Sequence, residues 1–313
     1  MAILLPYKVS PNMGNKFLWY FYKSLKNENV DIIASQEEWL NQSKEYQAII
    51  IHWPEYLPQS NFFDNHDDFI NFTIQRINYF KDNSKIFYFV HNILPHRYQK
   101  GIYKKLYELV IQNATAIFNF GYFSKDLYEF KYKKVENQFI VPHGNYIDLD
   151  KEKEDKPILE ELSKFNSAAI TISVIGAIRN KVEFKILKNF AKFYLKKGCN
   201  FIYAGKINKD IYIDKRDGKL KNFLKNKIFI EFGYKKFITK LRKNNLKNLD
   251  GNINVFHKYI TDDLLIKICK KSDILLICRN ESLNSGNVAL GFTFGCFLVG
   301  PDNGIIGEIL RKN

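Results

Sequence analysis

Short apolar segments alternate with longer amphipathic segments along most of the chain, and this alternation restricts the fold more than any other feature. Six segments of the first half have the length and apolar character of β-strands. Between them, stretches such as Lys16–Lys26, Asp68–Phe80 and Ile102–Gln112 carry apolar residues three and four positions apart, as amphipathic helices do. Because strands separated by helices are joined by right-handed crossovers, the pattern predicts a parallel sheet. The predicted strands are Ala2–Pro6, Val30–Ala34, Ala48–His52, Ile86–His91, Ala116–Phe120 and Gln138–Pro142.

The alternation stops once and then starts again. Residues 148–166, DLDKEKEDKPILEELSKFN, are polar and highly charged and contain one proline, so they predict a domain boundary. A strand-like segment, AAITISVIGA, and a helix-like one, VEFKILKNFAKFYLKK, follow it. A chain of 313 residues suits two domains of ordinary size. We therefore predict an α/β protein with two doubly wound, Rossmann-like domains facing a cleft, comprising residues 1–148, a linker 149–166, and residues 167–313.

Composition narrows the possible classes of protein. Apolar residues make up 46% of the chain, but no stretch of about twenty of them could cross a membrane. The start MAILLPYKVS lacks the basic region and cleavage site of a secretory signal, so we predict that it is the first strand. The four cysteines form no C-x-x-C motif and most lie in apolar segments. This is typical of reduced core thiols, so we expect a cytoplasmic location and no metal site.

The net charge of +15 has two explanations. Lys, Asn and Ile are abundant throughout, as in proteins encoded by AT-rich genomes. Alternatively, the charge attracts a polyanion, which could be nucleic acid, anionic lipid or a phosphorylated ligand. The charge is densest between Lys206 and Lys247, where fourteen Lys and Arg residues accompany four Asp and Glu residues.

Polar residues follow the predicted strands with unusual regularity. In parallel sheets, ligands bind beyond the carboxyl ends of the strands. The loops at these ends read SPNMGNK, HWPE, HNILPH and PHGN in the first half, and GAIRNK, AGK and FHKYITDD in the second. We therefore predict that these loops line the binding site. Five of the six histidines lie in them, namely His52, His91, His96, His143 and His257.

Three loops of the second half have the features of a diphosphate site. The residues NSGN, 284–287, precede an apolar helix, whose N-terminus leaves four N–H groups unpaired and carries about half a positive charge. A Ser-Gly pair there lets an anion approach the backbone, although a plain N-cap by Asn284 or Ser285 would also explain it. Two other strand ends supply cations, and Arg179 can bind two oxygens at once. The predicted diphosphate ligands are Arg179, Lys181, Lys206, Ser285, Gly286 and Asn287.

These motifs together resemble a known family. GAIRNKVEFKIL, FIYAGK and the stretch from FHKYITDD to GEIL look like the donor half of GT-B glycosyltransferases, close to the glycosyltransferase family 4 type. HWPE and HNILPH resemble the acceptor domain of bacterial polysaccharide or lipid-linked oligosaccharide transferases. The resemblance covers nearly the whole chain. It implies transfer of a sugar from a UDP- or GDP-sugar, with retention of configuration and without a metal or other cofactor.

The resemblance also implies roles for individual residues. Tyr259 and Ile260 would flank the base, and His91 would contact the donor sugar together with Glu281, the first acid of the family's glutamate pair. The second acid is replaced by Ala289, so Glu308 is the nearest candidate for the ribose. An inverting enzyme would instead need a general base, for which Glu55, His96 and His143 are candidates. The predicted acceptor-side residues are Gly14, Asn15, His52, Glu55, Asn92, His96 and His143.

Three other functions fit parts of the sequence. A nucleic-acid-binding protein would explain the charge, but no nucleic-acid motif is present and we expect no such partner. A nucleotide-sugar epimerase would share the donor half. A non-catalytic nucleotide-sugar-binding module would fit the replaced acid and the absence of a final helix returning to the first domain.

The expected partners are a nucleotide sugar and a glycan or lipid-linked acceptor. A lipid-linked acceptor would be met at the inner face of the cell membrane. The helical segment QKGIYKKLYELVIQ mixes Lys with Tyr, Leu and Ile, as peripheral helices on anionic lipid do. The alternative is that these apolar residues pack the helix onto its sheet.

Overall fold

The structure of the chain is a computed structural model that describes residues 2–13, 16–41, 45–57, 66–94, 101–133, 136–151, 165, 167–208, 253–256, 260–280 and 282–313. It contains two parallel β-sheets with helices between successive strands, which confirms the predicted α/β class. The chain divides into two compact units. Unit 1 comprises Met1–Gly144, Ser282–Gly286 and Asn303–Asn313, and unit 2 comprises Asn145–Glu281 and Asn287–Asp302.

Unit 1 contains a six-stranded sheet in the order β2-β1-β3-β4-β5-β6, with every neighbouring pair parallel. All six predicted strands are confirmed to within two residues at each end. The strands are β1 (Ile3–Leu5), β2 (Ile32–Ala34), β3 (Ala48–Ile51), β4 (Lys85–Val90), β5 (Ala116–Asn119) and β6 (Gln138–Ile140). The helices are α1 (Lys16–Asn27), α2 (Gln36–Asn41), α3 (His66–Asn83), α4 (Gly101–Asn113) and α5 (Tyr122–Tyr132), with a 3-10 turn at Pro54–Tyr56.

The core of unit 1 forms on both faces of this sheet. All four residues of β3 are buried, as expected for a central strand covered by helices on both sides. Trp39 of α2 stacks on Phe80 of α3, with ring centroids 5.4 Å apart. In α4, Tyr103, Leu106 and Tyr107 are buried in the core. Tyr103, Leu106 and Tyr107 therefore pack inside unit 1, as the alternative for this helix expected, and association with a membrane stays a prediction.

Unit 2 contains a five-stranded parallel sheet in the order β11-β10-β7-β8-β9. Its central strands β7 and β8 are buried along their whole length. The strands are β7 (Thr171–Ile175), β8 (Asn200–Ala204), β9 (Ile253–Phe256), β10 (Ile274–Leu276) and β11 (Phe297–Val299). The helices are α6 (Ile147–Lys151), α7 (Lys181–Leu195), α8 (Asp262–Lys271) and α9 (Gly286–Thr293). Most of the basic segment between Lys206 and Lys247 lies outside the described residues.

The last helix, α10 (Gly304–Lys312), belongs to unit 1 and packs against α5. Its Ile305 is fully buried in the core of that unit. This corrects two predictions, namely that residues 167–313 form the second domain and that no helix returns to the first. Residues 304–312 have the apolar pattern of an amphipathic helix, but this pattern does not specify which sheet the apolar face covers.

The four cysteines agree with the expectation of core thiols. Cys199, Cys269, Cys278 and Cys296 are all buried and unpaired, as predicted for core thiols. Within the described ranges, no helix combines the length and the apolar character needed to cross a membrane.

Candidate functional site

In unit 2, the loop after β7 and the loop after β8 approach each other closely at Gly176 and Gly205. This pair of loops is here called the glycine turn. The N–H of Gly176 donates to the carbonyl of Ala204 at 2.8 Å, and that of Gly205 donates to Phe256 at 2.9 Å. Gly176 has a φ of +102°, which strains any residue with a side chain. A β-carbon on Gly205 would lie 2.0 Å from the carbonyl oxygen of Gly176. Only glycine therefore allows the two loops to run this close together.

The guanidinium of Arg279, which follows β10, lies over the glycine turn. Its Nη2 is 3.0 Å from the position that a β-carbon on Gly176 would occupy. Its Nη1 is buried and makes no hydrogen bond to any described residue. Desolvation lowers the pKa of Arg279, and the nearby Glu183 carboxylate opposes that shift. Because arginine stays charged in proteins, a buried N–H without an acceptor is costly, and an anion over the turn would remove the cost.

The loop after β7 is fixed by a capping arrangement at the start of α7. The side chain of Asn180, the N-cap, accepts a hydrogen bond from the N–H of Glu183 at 2.9 Å. The Glu183 carboxylate in turn accepts from the N–H of Arg179 at 2.7 Å. This reciprocal pattern resembles a capping box, shifted by one residue from the usual N-cap N–H. The backbone of Arg179 is therefore held in place while its side chain is half-buried.

The N-terminus of α9 is attached to the same turn. The side-chain amide of Asn287 donates to the carbonyl of Ile175 at 2.7 Å, and its nitrogen lies 3.8 Å from the position of a β-carbon on Gly176. The N–H of Ser285 donates to the side chain of Asn284 at 2.7 Å. The predicted segment Ser285–Asn287 thus begins the helix where it was expected. The side-chain amide of Asn287 therefore binds the strand end, and the contact of Ser285, Gly286 and Asn287 with a diphosphate stays a prediction.

The other predicted cations of unit 2 lie on the same two loops. Lys181 is the first residue of α7 and Lys206 follows Gly205, and both are exposed. The two loops are joined by the hydrogen bond from the N–H of Ile178 to the carbonyl of Lys206, at 2.9 Å. Both lysines, together with Arg179, therefore come from neighbouring strand ends, as the sequence predicted. Their contact with a diphosphate stays a prediction.

Sequence reasoning missed Arg279 and Glu183. Arg279 follows the apolar strand ILLIC, so the rule that selected Arg179 and Lys206, a cation just after a strand, would also have found it. Glu183 stands three residues after Asn180, which is the spacing of a capping box and a readable signal.

In unit 1, two histidines from neighbouring strand ends form a buried pair. His52 follows β3 and His91 follows β4, and the Nδ1 of His52 lies 3.0 Å from the Nε2 of His91. Desolvation lowers the pKa of His52 to about 3. Burial, with smaller effects from His52 and His143, also lowers the pKa of His91 well below its ordinary value. Both rings are therefore neutral near pH 7, and one N–H is shared between them.

Aromatic side chains fix the orientation of this pair. The indole of Trp53 stacks on His91 with centroids 4.1 Å apart, and Phe17 contacts it edge-to-face at 4.7 Å. The hydroxyl of Tyr7 accepts from the N–H groups of His52 and Trp53 at 3.0 and 3.1 Å and donates to the carbonyl of Trp53. This three-bond anchor fixes the loop after β3, and it was not anticipated from the sequence.

The other predicted acceptor-side residues have varied surroundings. Glu55 is buried, and its carboxylate accepts from the Tyr107 hydroxyl at 2.6 Å, so it ties the 3-10 turn to α4. Asn92, the residue after His91, is buried, and its backbone carbonyl accepts a hydrogen bond from the Tyr128 hydroxyl at 3.5 Å. The Nδ1–H of His143 donates to the carbonyl of Gly144 at 2.8 Å. Desolvation lowers the pKa of His143, which leaves its Nε2 as an acceptor.

Several predicted site residues lie outside the described residues, so their roles stay predictions. Ile260 is described and directly precedes Thr261, the N-cap of α8, whose hydroxyl accepts from the N–H of Leu264. Within the described ranges, no three His, Cys, Asp or Glu side chains are grouped to hold a metal ion. The predicted site residues that lie outside the described residues are Gly14, Asn15, His96, His257, Tyr259 and Glu281.

Glu308, the candidate ribose ligand, has different partners in the structure. Its carboxylate accepts from the N–H of Phe123 at 2.8 Å, at the N-terminus of α5, and pairs with Lys312 at 3.2 Å. Burial raises the pKa of Glu308, but the hydrogen bonds from Phe123 and Tyr122 and the charge of Lys312 outweigh it and lower the pKa. This carboxylate caps α5, which has no side-chain cap from its own N-cap residue. The ribose assignment is corrected accordingly.

Comparison with known proteins identifies the fold. No family model and no curated protein matches the sequence. HepE from Anabaena, in complex with UDP and glucose, is 12% identical with a TM-score of 0.54, over 98% of this chain and 82% of that chain. An α-glucosyltransferase in complex with UDP and a 13-mer DNA is 12% identical with a TM-score of 0.55, over 96% and 78%. The catalytic domain of Starch Synthase IV from Arabidopsis thaliana, bound to ADP and acarbose, is 11% identical with a TM-score of 0.54, over 96% and 63%.

The chain therefore has the two-domain, Rossmann-like GT-B fold, as predicted. At these identities the likeness establishes the fold and does not distinguish glycosyltransferase family 4 from other GT-B proteins. The three similar structures each contain a nucleoside diphosphate.

Proposed function

We propose that this protein is a glycosyltransferase of the family 4 type, which moves a sugar from a nucleoside-diphosphate sugar to a glycan or lipid-linked acceptor. The observation that carries the proposal is the guanidinium of Arg279, held over a glycine turn with its Nη1 buried and without a partner among the described residues. A fold shared with structures that contain UDP or ADP supports the choice of ligand.

In this proposal, unit 2 binds the diphosphate. The glycine turn lets phosphate oxygens approach the backbone, and Arg279 donates to them from a site partly shielded from water, where a charged hydrogen bond is strong. The N-terminus of α9 adds its dipole beside Asn287. Arg179, Lys181 and Lys206 add positive charge from the same strand ends. Together these groups neutralise the charge that develops on the leaving diphosphate and so take the place of a metal. Retention of configuration is what the resemblance to family 4 implies.

Unit 1 supplies His91 to the donor sugar. The ring is neutral at pH 7 because burial lowers its pKa, so it acts by hydrogen bonding rather than by charge. Trp53 and Phe17 hold the ring in one orientation, which reduces the entropy lost when a sugar hydroxyl binds. Glu281 accepts hydrogen bonds from other sugar hydroxyls, as the sequence predicts. His143, whose Nδ1–H donates to the carbonyl of Gly144, is assigned to the acceptor side as the resemblance to family 4 implies.

A single assay series separates this function from the alternatives. The protein is incubated with UDP-glucose, UDP-N-acetylglucosamine and GDP-mannose, with and without glycan acceptors, and the products are resolved by chromatography and mass spectrometry. A transferase releases the nucleoside diphosphate and extends an acceptor, whereas an epimerase yields an altered nucleotide sugar. Tight binding with no product in any mixture would contradict the proposed catalysis and leave a binding module.

A further inference from the structure

The histidine pair of unit 1 permits two proton arrangements. Either His52 donates from Nδ1 to the Nε2 of His91, or His91 donates from Nε2 to the Nδ1 of His52. The first leaves His91 protonated at Nδ1, and the second leaves it protonated at Nε2. The two arrangements present opposite hydrogen-bonding groups to a ligand, because the remaining nitrogen of His91 is a donor in the first and an acceptor in the second.

The surroundings of His52 distinguish the two. Its Nε2 is buried and has no hydrogen-bond partner among the described residues. The rings of Phe21 and Phe89 pack against the His52 ring, with their centroids 4.7 and 4.8 Å from its centroid. Neither ring carries a lone pair that could accept a hydrogen bond. If His91 were the donor, this nitrogen of His52 would carry a buried N–H without an acceptor, which is the rarer defect in proteins. If His52 is the donor, only a lone pair is left without a partner.

We infer that His52 is a positioning residue that donates from Nδ1 to His91 and so fixes His91 as the Nδ1–H tautomer. His91 then presents an N–H donor to an oxygen of its ligand and cannot act there as a general base. Nδ1 of His91 makes no hydrogen bond to a described residue, so this donor is available. The identity of the ligand as a sugar rests on the proposed function, but the tautomer does not.

The tautomer can be measured directly in the protein without substrate. Protein labelled with ¹⁵N-histidine is examined by long-range ¹H–¹⁵N correlation near pH 7.5, and the signals are assigned with His52→Phe and His91→Gln variants. We expect both His52 and His91 to carry their proton on Nδ1. His91 protonated at Nε2 in the unsubstituted protein would overturn the inference.

Two substitutions of His52 separate a positioning role from a packing role. In His52→Asn, the amide nitrogen replaces the Nδ1 donor, so His91 should keep its proton on Nδ1. In His52→Phe, the ring remains and the donor is lost, so His91 should lose its fixed tautomer. If His91 is identical in both variants, His52 does not position it. Should the phenylalanine variant fail to fold, the tautomer in the unsubstituted protein still decides.

Turnover and nucleotide binding complete the test. His52→Phe should lower kcat roughly tenfold, the effect of one neutral hydrogen bond, and His52→Asn should recover most of it. UDP affinity should be the same in both variants, because the glycine turn and Arg279 belong to unit 2. Absence of UDP binding in the unsubstituted protein would contradict the proposed function and leave the tautomer result unaffected. Equal kcat in both variants would show that the pair serves the fold alone.

Discussion

The glycine turn of unit 2 and the histidine pair of unit 1 lie at equivalent places in their sheets, yet they differ in chemistry. In unit 2, the buried guanidinium of Arg279 lies against Gly176, and its Nη1 has no hydrogen-bond partner among the described residues. In unit 1, His52 and His91 are neutral and packed among aromatic rings. We therefore propose that unit 2 binds a charged ligand, whereas unit 1 offers directional hydrogen bonds to a neutral one.

The largest expected effect tests whether the glycine turn is required for the fold of unit 2. Gly205→Ala places a methyl group against the carbonyl of Gly176, so the loops must separate. We expect a loss of roughly 3 kcal/mol in the free energy of unfolding, measured by denaturant titration. Gly101→Ala is the matched control, because a β-carbon there meets no atom within 4 Å. Equal stability of the two variants would show that the turn adjusts freely.

A substitution of Arg279 tests whether the positive charge at the glycine turn contributes to UDP affinity. Arg279→Met removes the guanidinium and retains most of the apolar stem, and we expect UDP binding to weaken by roughly 1.5–3 kcal/mol, the scale of a charged hydrogen bond. Calorimetric titration measures the loss, with Arg311→Met on α10 as a control. Arg179→Ala should weaken binding less, because that side chain does not lie over Gly176. A larger loss in Arg179→Ala would assign the diphosphate to the residue that the sequence selected first.

A substitution of His91 tests whether unit 1 affects turnover without affecting UDP affinity. His91→Ala should lower kcat by roughly tenfold or more while UDP affinity stays within about twofold, since the ring is proposed to contact only the sugar. The variant is compared with the unsubstituted protein in a transfer assay and in UDP titration, and thermal unfolding is recorded alongside. A parallel fall of kcat, UDP affinity and melting temperature would identify His91 as a packing residue.

The smallest effect concerns Glu308, the carboxylate of unit 1 that serves the fold. Glu308→Gln should cost about 1 kcal/mol of stability at pH 7, as for the loss of a helix cap. The pKa of Glu308 is lowered in the folded state, so its contribution is complete above the ordinary glutamate pKa and is lost as the pH falls through the folded value. The difference between variant and parent should therefore vanish in acid. Glu129→Gln, which breaks a partly exposed pair with Lys125, is the control and should cost little.

Much of the fold could be predicted because it depends on local pattern. The strands of unit 1 are short apolar runs, and parallel strands joined by helices follow from their alternation. The assignment of α10 to unit 1 could not be predicted, because the apolar face of a helix such as Gly304–Lys312 does not specify which sheet it covers. The register of β3 and β4, which pairs Ile51 with Tyr88 and brings His52 to His91, is likewise a tertiary property.

The candidate site was predictable in position and less so in identity. Strand ends selected Arg179, Lys206 and the start of α9, and the structure places them on one edge of the sheet. Which arginine lies over Gly176 depends on side-chain direction, and Arg279 was found only in the structure. Glu308 was misassigned because an acid shortly after the turn 301–304 gives the same sequence pattern whether it binds a ligand or caps a distant helix such as α5.

Calorimetric titration of the full chain with UDP, UMP and uridine, in parallel at moderate ionic strength, tests directly whether unit 2 binds a diphosphate. If unit 2 is built around a diphosphate, UDP binds much more tightly than UMP, and uridine binds weakest of the three. The advantage of UDP over uridine should shrink in Arg279→Met and persist in the Arg311→Met control. Equal affinities for UDP and uridine, or no binding of UDP, would contradict the central claim that the glycine turn and Arg279 form a diphosphate site.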